Sequence, residues 1–339
     1  MANHGLCIAS ALIGGLAASA AAAAAAPVAD FYSSKQITMH IGYPVGGSFD
    51  VGARLVARHM GKYVPGNPTF IPMNKPGAAG LILANEMFGV LPQDGTAIGT
   101  FGRNIPRGQI LGTMAGQFES EKFNWLGSTS QDISVCGVWH GAGIATTEQF
   151  LAAPLVMAAN SQGDAEMYPH VLNKLIGTKF KIVSGYPGAP EMSLALERGE
   201  AQARCGWSWS SASTERNWLK DKKIMIPLVL GTDKLKEMPE VPRAIDFAKT
   251  DEARGVLRFL ADSGKLGRPF VAPPNVPADR LKALRDAFAK TMEDAEFKAD
   301  AAKQGFIADP LSGDDLQATV RNMVGASPAI LQSVKANMP

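Results

Sequence analysis

The sequence predicts an α/β fold of two doubly wound lobes joined by a hinge, and three observations lead to that prediction. Residues 36–89 alternate strand, glycine loop and helix twice over. Residues 155–199 repeat the same order of elements. Two β-rich runs near Val135 and Pro227 are placed to carry the chain from one lobe to the other. Two α/β units connected in this way enclose a cleft.

The first lobe begins with a β-rich run at Gln36–Ile41, followed by a glycine loop at 44–50 and by helical apolar spacing over 51–61. A second strand at 69–73 leads to a second glycine loop at 74–80 and to another helix. Loops at the carboxyl ends of neighbouring strands share one rim of an open sheet. Their backbone N–H groups, at the positive ends of helices, suit an anion, most simply a carboxylate.

The rest of the chain completes this plan. The run Ile224–Leu230 is expected to return to the first lobe, and Ser312 with Asp315 predicts a helix cap within a helical tail. The expected division is a leader at 1–29, the first part of lobe 1 at 30–138, lobe 2 at 139–226, and the return to lobe 1 with C-terminal helices at 227–339.

The amino terminus predicts export. Leu6–Ala26 is apolar, rich in alanine, and ends in small residues near Pro27, as in a secretory signal peptide with cleavage between Ala20 and Asp30. A membrane anchor is the alternative. Once Cys7 has left with the leader, Cys136 and Cys205 remain. An even pair of cysteines in an oxidising compartment predicts a disulfide, with two buried free thiols as the alternative.

Composition excludes several kinds of function. The 339 residues are 46% hydrophobic and 19% charged, with a formal net charge of +2 and no basic block, which argues against nucleic acid as a partner. The sequence has no G-x-S-x-G elbow, no phosphate-binding loop and no paired histidines with metal spacing. We therefore expect no enzyme activity, no cofactor and no metal site.

Two motifs support a family resemblance. Pro44-x-Gly46-Gly47-x-x-Asp50-x-x-Ala53-Arg54 is followed by Asn74-x-Pro76-Gly77-Ala78-x-Gly80. In order and spacing they resemble the Bug family, the TctC-like solute receptors of tripartite tricarboxylate transporters. The segment from Arg268 to Pro277 and the loop Gly185–Gly188 fit the same family. The resemblance extends over the whole mature chain.

That resemblance implies a type II periplasmic binding fold, a Venus flytrap that holds a small carboxylate, aromatic or dicarboxylate ligands included. It implies no cofactor, a monomer, and membrane permease subunits or a sensor protein as partner. In the second lobe, the segments matching the family's ligand loops are 161–164 and 205–208. The predicted ligand-binding residues are Gly46, Gly47, Ser48, Phe49, Asp50, Gly77, Ala78, Ala79, Gly80, Arg103, Ser161, Asp164, Trp207 and Ser208.

Several of these residues have a structural alternative. Asp50 cannot pair with a carboxylate when ionised, so it is expected to orient its loop, hold water, or accept from a ligand hydroxyl or amine. Arg103 and Arg204 are candidates to bind a second carboxylate, or else form interlobe or surface ion pairs. Trp207 either stacks on a planar ligand or fills the hinge core. Asp164 either contacts ligand or caps a helix.

Two other functions remain open. An exported hydrolase would use Ser208 or Cys205 as the nucleophile with His140 or His170 as the base. A ligand sensor would have the same fold but serve a signalling partner instead of a permease.

Overall fold

The computed structural model describes residues 28–160, 163–213, 215–306 and 308–339, in which strands form two separate sheets. The mixed α/β architecture predicted from the sequence is confirmed. The strands are β1 Gln36–Ile41, β2 Thr69–Asn74, β3 Ala97–Thr100, β4 Asn124–Ser128, β5 Ser134–Trp139, β6 Val156–Ala158, β7 Lys181–Val183, β8 Ala203–Ser208, β9 Ile224–Val229, β10 Pro269–Ala272 and β11 Leu311–Ser312.

Helices surround both sheets and follow most of the strands. They are α1 Val28–Ser33, α2 Ser48–Met60, α3 Leu81–Gly89, α4 Asn104–Leu111, α5 Thr147–Ala152, α6 Asp164–Leu175, α7 Ala189–Glu197, α8 Trp209–Ala212, α9 Asp251–Lys265, α10 Ala278–Glu293, α11 Ala295–Lys303, α12 Gly313–Val324 and α13 Pro328–Asn337. As predicted, Ser312 caps α12, because its hydroxyl accepts a hydrogen bond from the Asp315 amide.

The first lobe contains a six-stranded sheet in the order β11-β4-β10-β3-β1-β2. Strand β1 pairs in parallel with β2 and β3, as expected from the strand–loop–helix repeat. Strand β10 is antiparallel to both β3 and β4, so the return of the chain fills the middle of this sheet. The loops that follow β1 and β2 therefore lie at the same rim.

The second lobe contains a five-stranded sheet in the order β7-β6-β8-β5-β9. The expectation that Ile224–Leu230 returns to the first lobe is wrong, because β9 pairs antiparallel with β5 within the second sheet. The run is apolar enough to be buried in either sheet, so its sequence did not decide between them. Residues 129–133 connect β4 with β5, and residues 230–268 connect β9 with β10.

A disulfide between Cys136 and Cys205 joins β5 to β8, which confirms the predicted pairing. Both cysteines are buried, and 69 positions separate them in the sequence. The strands are out of regular register here, and Gly206 adopts a left-handed φ of +64°. A Cβ at Gly206 would lie 2.4 Å from the backbone of Asp164, so this glycine lets α6 pack closely on β8.

Apolar side chains form a core in each lobe and a third core between them. The shared core includes Phe101 of the first lobe, Met157 of the second, and Leu260 of α9. The predicted signal peptide lies almost entirely in residues 1–27, outside the described residues, while its expected last two positions, Val28 and Ala29, begin α1. In the described part of the chain, no helix combines the length and the apolar character needed to span a membrane.

Candidate ligand-binding cleft

The first glycine loop is held in shape by one buried carboxylate. Asp50 accepts hydrogen bonds from the Gly46 amide at 2.9 Å, from Arg54 Nε at 2.9 Å and from Asn74 Nδ2 at 2.7 Å. Burial acts to raise the pKa of Asp50, but these three donors together hold that pKa below its ordinary value. Asp50 thus stays ionised and orients the loop, as one of its predicted roles requires.

The two glycine loops are neighbours on the rim. Asn74 Nδ2 donates both to Asp50 and, at 3.0 Å, to the carbonyl of Tyr43. In the second loop, Gly80 has a φ of +97° and lies so close to Gly42 that a Cβ on Gly42 would be 3.2 Å from the Gly80 Cα. Asn74, at the start of the second loop, therefore connects that loop to the first one by hydrogen bonds to Tyr43 and Asp50.

A cleft of about 420 Å³ opens beside the first loop. Its walls come from both lobes and from the C-terminal part of the chain. The lining residues are Gly46, Ser48, Val51, Ser210, Ser211, Glu215, Arg216, Arg268, Gln304, Gly305 and Phe306. Helix α2 begins at this wall, because Gly46 and Ser48 on either side of its N-cap residue Gly47 line the cleft. Gly47 has no side chain to cap the helix, so the positive end of α2 lies beside the cleft.

Only Gly46 and Ser48 of this lining belong to the predicted ligand-binding residues, and Arg268 is the most important of the residues that were not predicted. Its Nη1 donates to Ser130 Oγ at 2.8 Å, and its guanidinium lies 5.4 Å from the centre of the Phe306 ring. Within the described residues, none of its contacts is an ion pair with a carboxylate. Burial lowers the pKa of Arg268, which nevertheless stays a cation at neutral pH.

Arg103 has a different environment. It donates to Asp132 at 2.7 Å and to Asp164 at 2.7 Å, and Arg107 donates to the other oxygen of Asp164 at 2.9 Å. We call Arg103, Arg107, Asp132 and Asp164 the interlobe charge cluster, because Arg103 and Arg107 lie on or next to α4 whereas Asp164 begins α6. Burial acts to raise the pKa of Asp164, but the two arginines hold that pKa far below its usual range.

The prediction that Arg103 binds a second ligand carboxylate therefore needs correction. Its guanidinium is already bonded to two protein carboxylates, and the interlobe ion pair is the alternative that the structure contains. Asp164 is the first residue of α6 and is bonded to these arginines. Ser208 donates to Asp132 and lies 2.8 Å from Ser210 Oγ, so it supports the cluster from the second lobe.

Trp207 does not reach the cleft. It is 1% exposed, packs edge-on against Trp218, and is covered by the guanidinium of Arg204 at 4.3 Å from the ring centre. This is the core position that was the alternative to ligand stacking. Burial lowers the pKa of Arg204 to about 10, and its hydrogen bonds among the described residues, to the Ala189 carbonyl and Ser193 Oγ, are long at 3.4 Å and 3.3 Å.

The structure thus brings some predicted site residues to the cleft and leaves others elsewhere. Gly46 and Ser48 line it, and Gly47 lies between them. Phe49 stacks on Tyr43 at 4.3 Å between ring centres. The backbone of Gly77, Ala78, Ala79 and Gly80 forms the second loop, which is not part of the lining. Ser161 lies outside the described residues.

One group of side chains in the described residues has metal-ligand character. Atoms of His59, Asp294 and Glu296 lie within 4.8 Å of one another. The ammonium of Lys62 is 2.6 Å from Asp294 and 2.7 Å from Glu296, so it neutralises the carboxylates that a cation would need. We assign no metal to this group.

Several solved structures share this fold. A TctC solute-binding protein from Polaromonas gives a TM-score of 0.67 at 19% identity, over 91% of this chain and 100% of that one. MatC from Rhodopseudomonas palustris, solved with malate, gives 0.60 at 15% identity, over 88% and 99%. A protein from R. palustris solved with adipate gives 0.61 at 16% identity, over 89% and 98%.

No protein-family model matches the sequence, and no curated protein matches it. The likeness to solved structures nonetheless defines a class: the chain has the two-lobe fold of periplasmic binding proteins. More narrowly, its neighbours are TctC-like and Bug receptors, so the resemblance first seen in two glycine motifs is confirmed at the level of the fold.

Proposed function

We propose that the chain is an exported solute receptor that captures a small carboxylate between its lobes for a tripartite tricarboxylate-type transporter. The observation that carries this proposal is the cleft at the start of α2, which contains an arginine unpaired with any carboxylate of the described residues. A volume of about 420 Å³ suits a small organic acid. The neighbours solved with malate and adipate support the same class of ligand.

Opening and closing of the cleft follow from the two connections between the sheets. We propose that residues 129–133 and 230–268 contain the crossings, instead of the boundaries at 138/139 and 226/227, which fall inside β5 and β9. The second lobe would then run from about β5 to β9. Ligand held at the first-lobe wall would draw the second-lobe wall, with α8, towards it.

Export to the periplasm is part of the proposal. The Cys136–Cys205 disulfide supports it, because such bonds persist in oxidising compartments. Amino-terminal sequencing of the exported protein should give a mature start between Ala20 and Asp30. A mature chain that retains residues before Ala20 would favour the membrane anchor.

The contacts of the two expected nucleophiles, Cys205 and Ser208, do not support the hydrolase alternative. Cys205 is in a disulfide, and the Ser208 hydroxyl contacts Asp132 and Ser210 instead of a histidine. Asp132 is already ion-paired with Arg103, and the described contacts of Ser208 include no histidine, so the expected serine–histidine pair has no support. We therefore propose binding without turnover. The sensor alternative shares this chemistry and differs only in its partner.

The test is ligand-induced thermal stabilisation of the mature, oxidised protein against a panel of mono-, di- and aromatic carboxylates. Mass spectrometry of the recovered solute checks for turnover. We expect a concentration-dependent rise in melting temperature with the solute unchanged. Conversion of the solute, or the same melting temperature with every member of the panel, would overturn the proposal. Deletion of a neighbouring permease gene, followed by an uptake assay, distinguishes transport from sensing.

A further inference from the structure

We propose that the cleft takes a solute with a single carboxylate, which Arg268 binds, and with an amine or hydroxyl donor at the opposite end, which Glu215 accepts. This inference rests on the proposed function and narrows the ligand to one class. It concerns two residues that line the cleft from different lobes, Arg268 next to β10 of the first sheet and Glu215 after β8 of the second, and neither belongs to the two glycine motifs.

Arg268 and the neighbouring interlobe charge cluster together carry one positive charge in excess. Arg103, Arg107 and Arg268 supply three guanidinium groups, and Asp132 and Asp164 supply two carboxylates. Both carboxylates are hydrogen-bonded to Arg103 or Arg107, so the excess charge is at Arg268. A partly buried cation attracts an anion strongly, and a guanidinium matches the two oxygens of one carboxylate.

The position of Arg268 is fixed before any ligand arrives. Ser130 Oγ accepts from Nη1, the Phe306 ring lies alongside the guanidinium, and the amide of Arg268 donates to Ser128 Oγ at 3.0 Å. Phe306 is itself packed against α2, since a Cβ on Gly52 would be 3.0 Å from its ring. A side chain held in this way loses little entropy when it binds an anion.

The wall from the second lobe presents a carboxylate. Glu215 lines the cleft, and its side chain is 21% exposed. Its neighbour Arg216 donates to Glu197 at 2.6 Å but approaches Glu215 only to 3.6 Å, beyond a hydrogen bond. Arg204 also attracts Glu215, but it is buried behind the cleft wall and does not line it.

The two walls therefore select by charge. A solute with carboxylates at both ends would place its second carboxylate against Glu215, and like charges in a confined site are strongly unfavourable. A solute with an amine or hydroxyl at that end would instead donate to Glu215. The hydroxyl-bearing residues of the lining, Ser48, Ser210 and Ser211, add polar groups along the cleft.

Matched pairs of equal length test this directly. Calorimetric titration would compare β-alanine with malonate, 4-aminobutyrate with succinate, 5-aminopentanoate with glutarate, and 6-aminohexanoate with adipate. At the length that fits best, we expect the amino acid to bind about tenfold or more tightly than its dicarboxylate. Dicarboxylates that bind more tightly at every length would overturn the inference while leaving the receptor function intact.

Two variants assign the effect to residues. Arg268→Gln should lower the affinity for every carboxylate about tenfold or more, whereas Arg268→Lys should retain part of that affinity. Glu215→Gln should leave carboxylate binding in place and remove the preference for the amino acid. Arg321→Gln and Glu240→Gln, at exposed positions outside the cleft, are the matched controls. An unchanged preference in Glu215→Gln, with an unchanged melting temperature, would also contradict the proposal.

The two levels of failure are distinguishable. If no member of any pair binds and no other carboxylate of the larger panel raises the melting temperature, the proposed receptor function fails together with the inference. If dicarboxylates bind and Arg268→Gln abolishes that binding, the anion position stands and the role of Glu215 is wrong.

Discussion

Arg103 and Arg268 both interact electrostatically with Asp132, yet their surroundings differ. Arg103 forms ion pairs with Asp132 and Asp164, whereas the side chain of Arg268 contacts the hydroxyl of Ser130 and the ring of Phe306. The interlobe charge cluster has two arginines and two carboxylates, so its charges balance, and it joins the lobes. The cleft, in contrast, is lined by Arg268, which forms no ion pair with a carboxylate of the described residues. An arginine therefore indicates an anion site only when the surrounding carboxylates have been counted.

Asp164→Asn should give the largest change in stability. It leaves Arg103 and Arg107 without their shared carboxylate, and loss of one partner from a buried ion pair typically costs about 3–5 kcal/mol. Arg268→Gln is the contrasting variant and should cost less than about 1 kcal/mol, because no carboxylate loses its partner. Urea unfolding of both variants measures the difference. Equal losses would remove the distinction between the two regions.

Gly206→Ala should have the next largest effect. The new Cβ would meet the backbone of Asp164 at 2.4 Å, and φ is +64° at this position. Overpacking and a left-handed backbone together should lower the free energy of unfolding by about 2 kcal/mol. Gly143→Ala is a suitable control, since its φ is +69° but its Cβ would meet nothing within 4 Å. A similar loss in both variants would show that close packing on α6 is unimportant.

Acid should weaken the interlobe charge cluster specifically. The pKa of Asp164 is lower in the folded than in the unfolded chain, so its ionised form stabilises the fold. That contribution is complete above about pH 4 and is lost as pH falls further, by up to about 1.4 kcal/mol per pH unit. Melting temperatures between pH 6 and pH 2.5 should fall more steeply for the native protein than for Asp164→Asn. Parallel curves would contradict this assignment.

Gly47→Val should have the smallest effect on stability and a large one on binding. Gly47 has a φ of −75°, and its Cβ would meet only the Pro44 carbonyl at 3.7 Å, so the loss should stay below about 1 kcal/mol. The added side chain would stand between Gly46 and Ser48 at the cleft wall. Titration with the carboxylate that binds best should then show at least about tenfold weaker affinity. Unchanged affinity would place the solute away from this loop.

Local patterns predicted the fold well because strand, glycine loop and helix leave strong signals in a single sequence. The disulfide also followed from counting cysteines. The partners of the arginines could not be predicted in this way. Arg103 meets Asp132 and Asp164, and Arg268 meets Ser130, only after distant segments pack together. The burial of Trp207 could not be predicted either. The pairing of β8 with β5 is irregular next to Gly206, so simple alternation along β8 does not tell which side chains point into the core.

The link between Cys136 and Cys205 has a practical consequence for anyone preparing this molecule. On the chain-entropy view, tying positions 69 residues apart contributes about 4 kcal/mol, a large part of what holds an ordinary domain together. Protein made in a reducing cytosol would lack that contribution. The missing bond would join β5 to β8, the strand on which α6 and its first residue Asp164 pack. Titrations should therefore use material secreted by the host or refolded with a glutathione pair, with the absence of free thiols verified first.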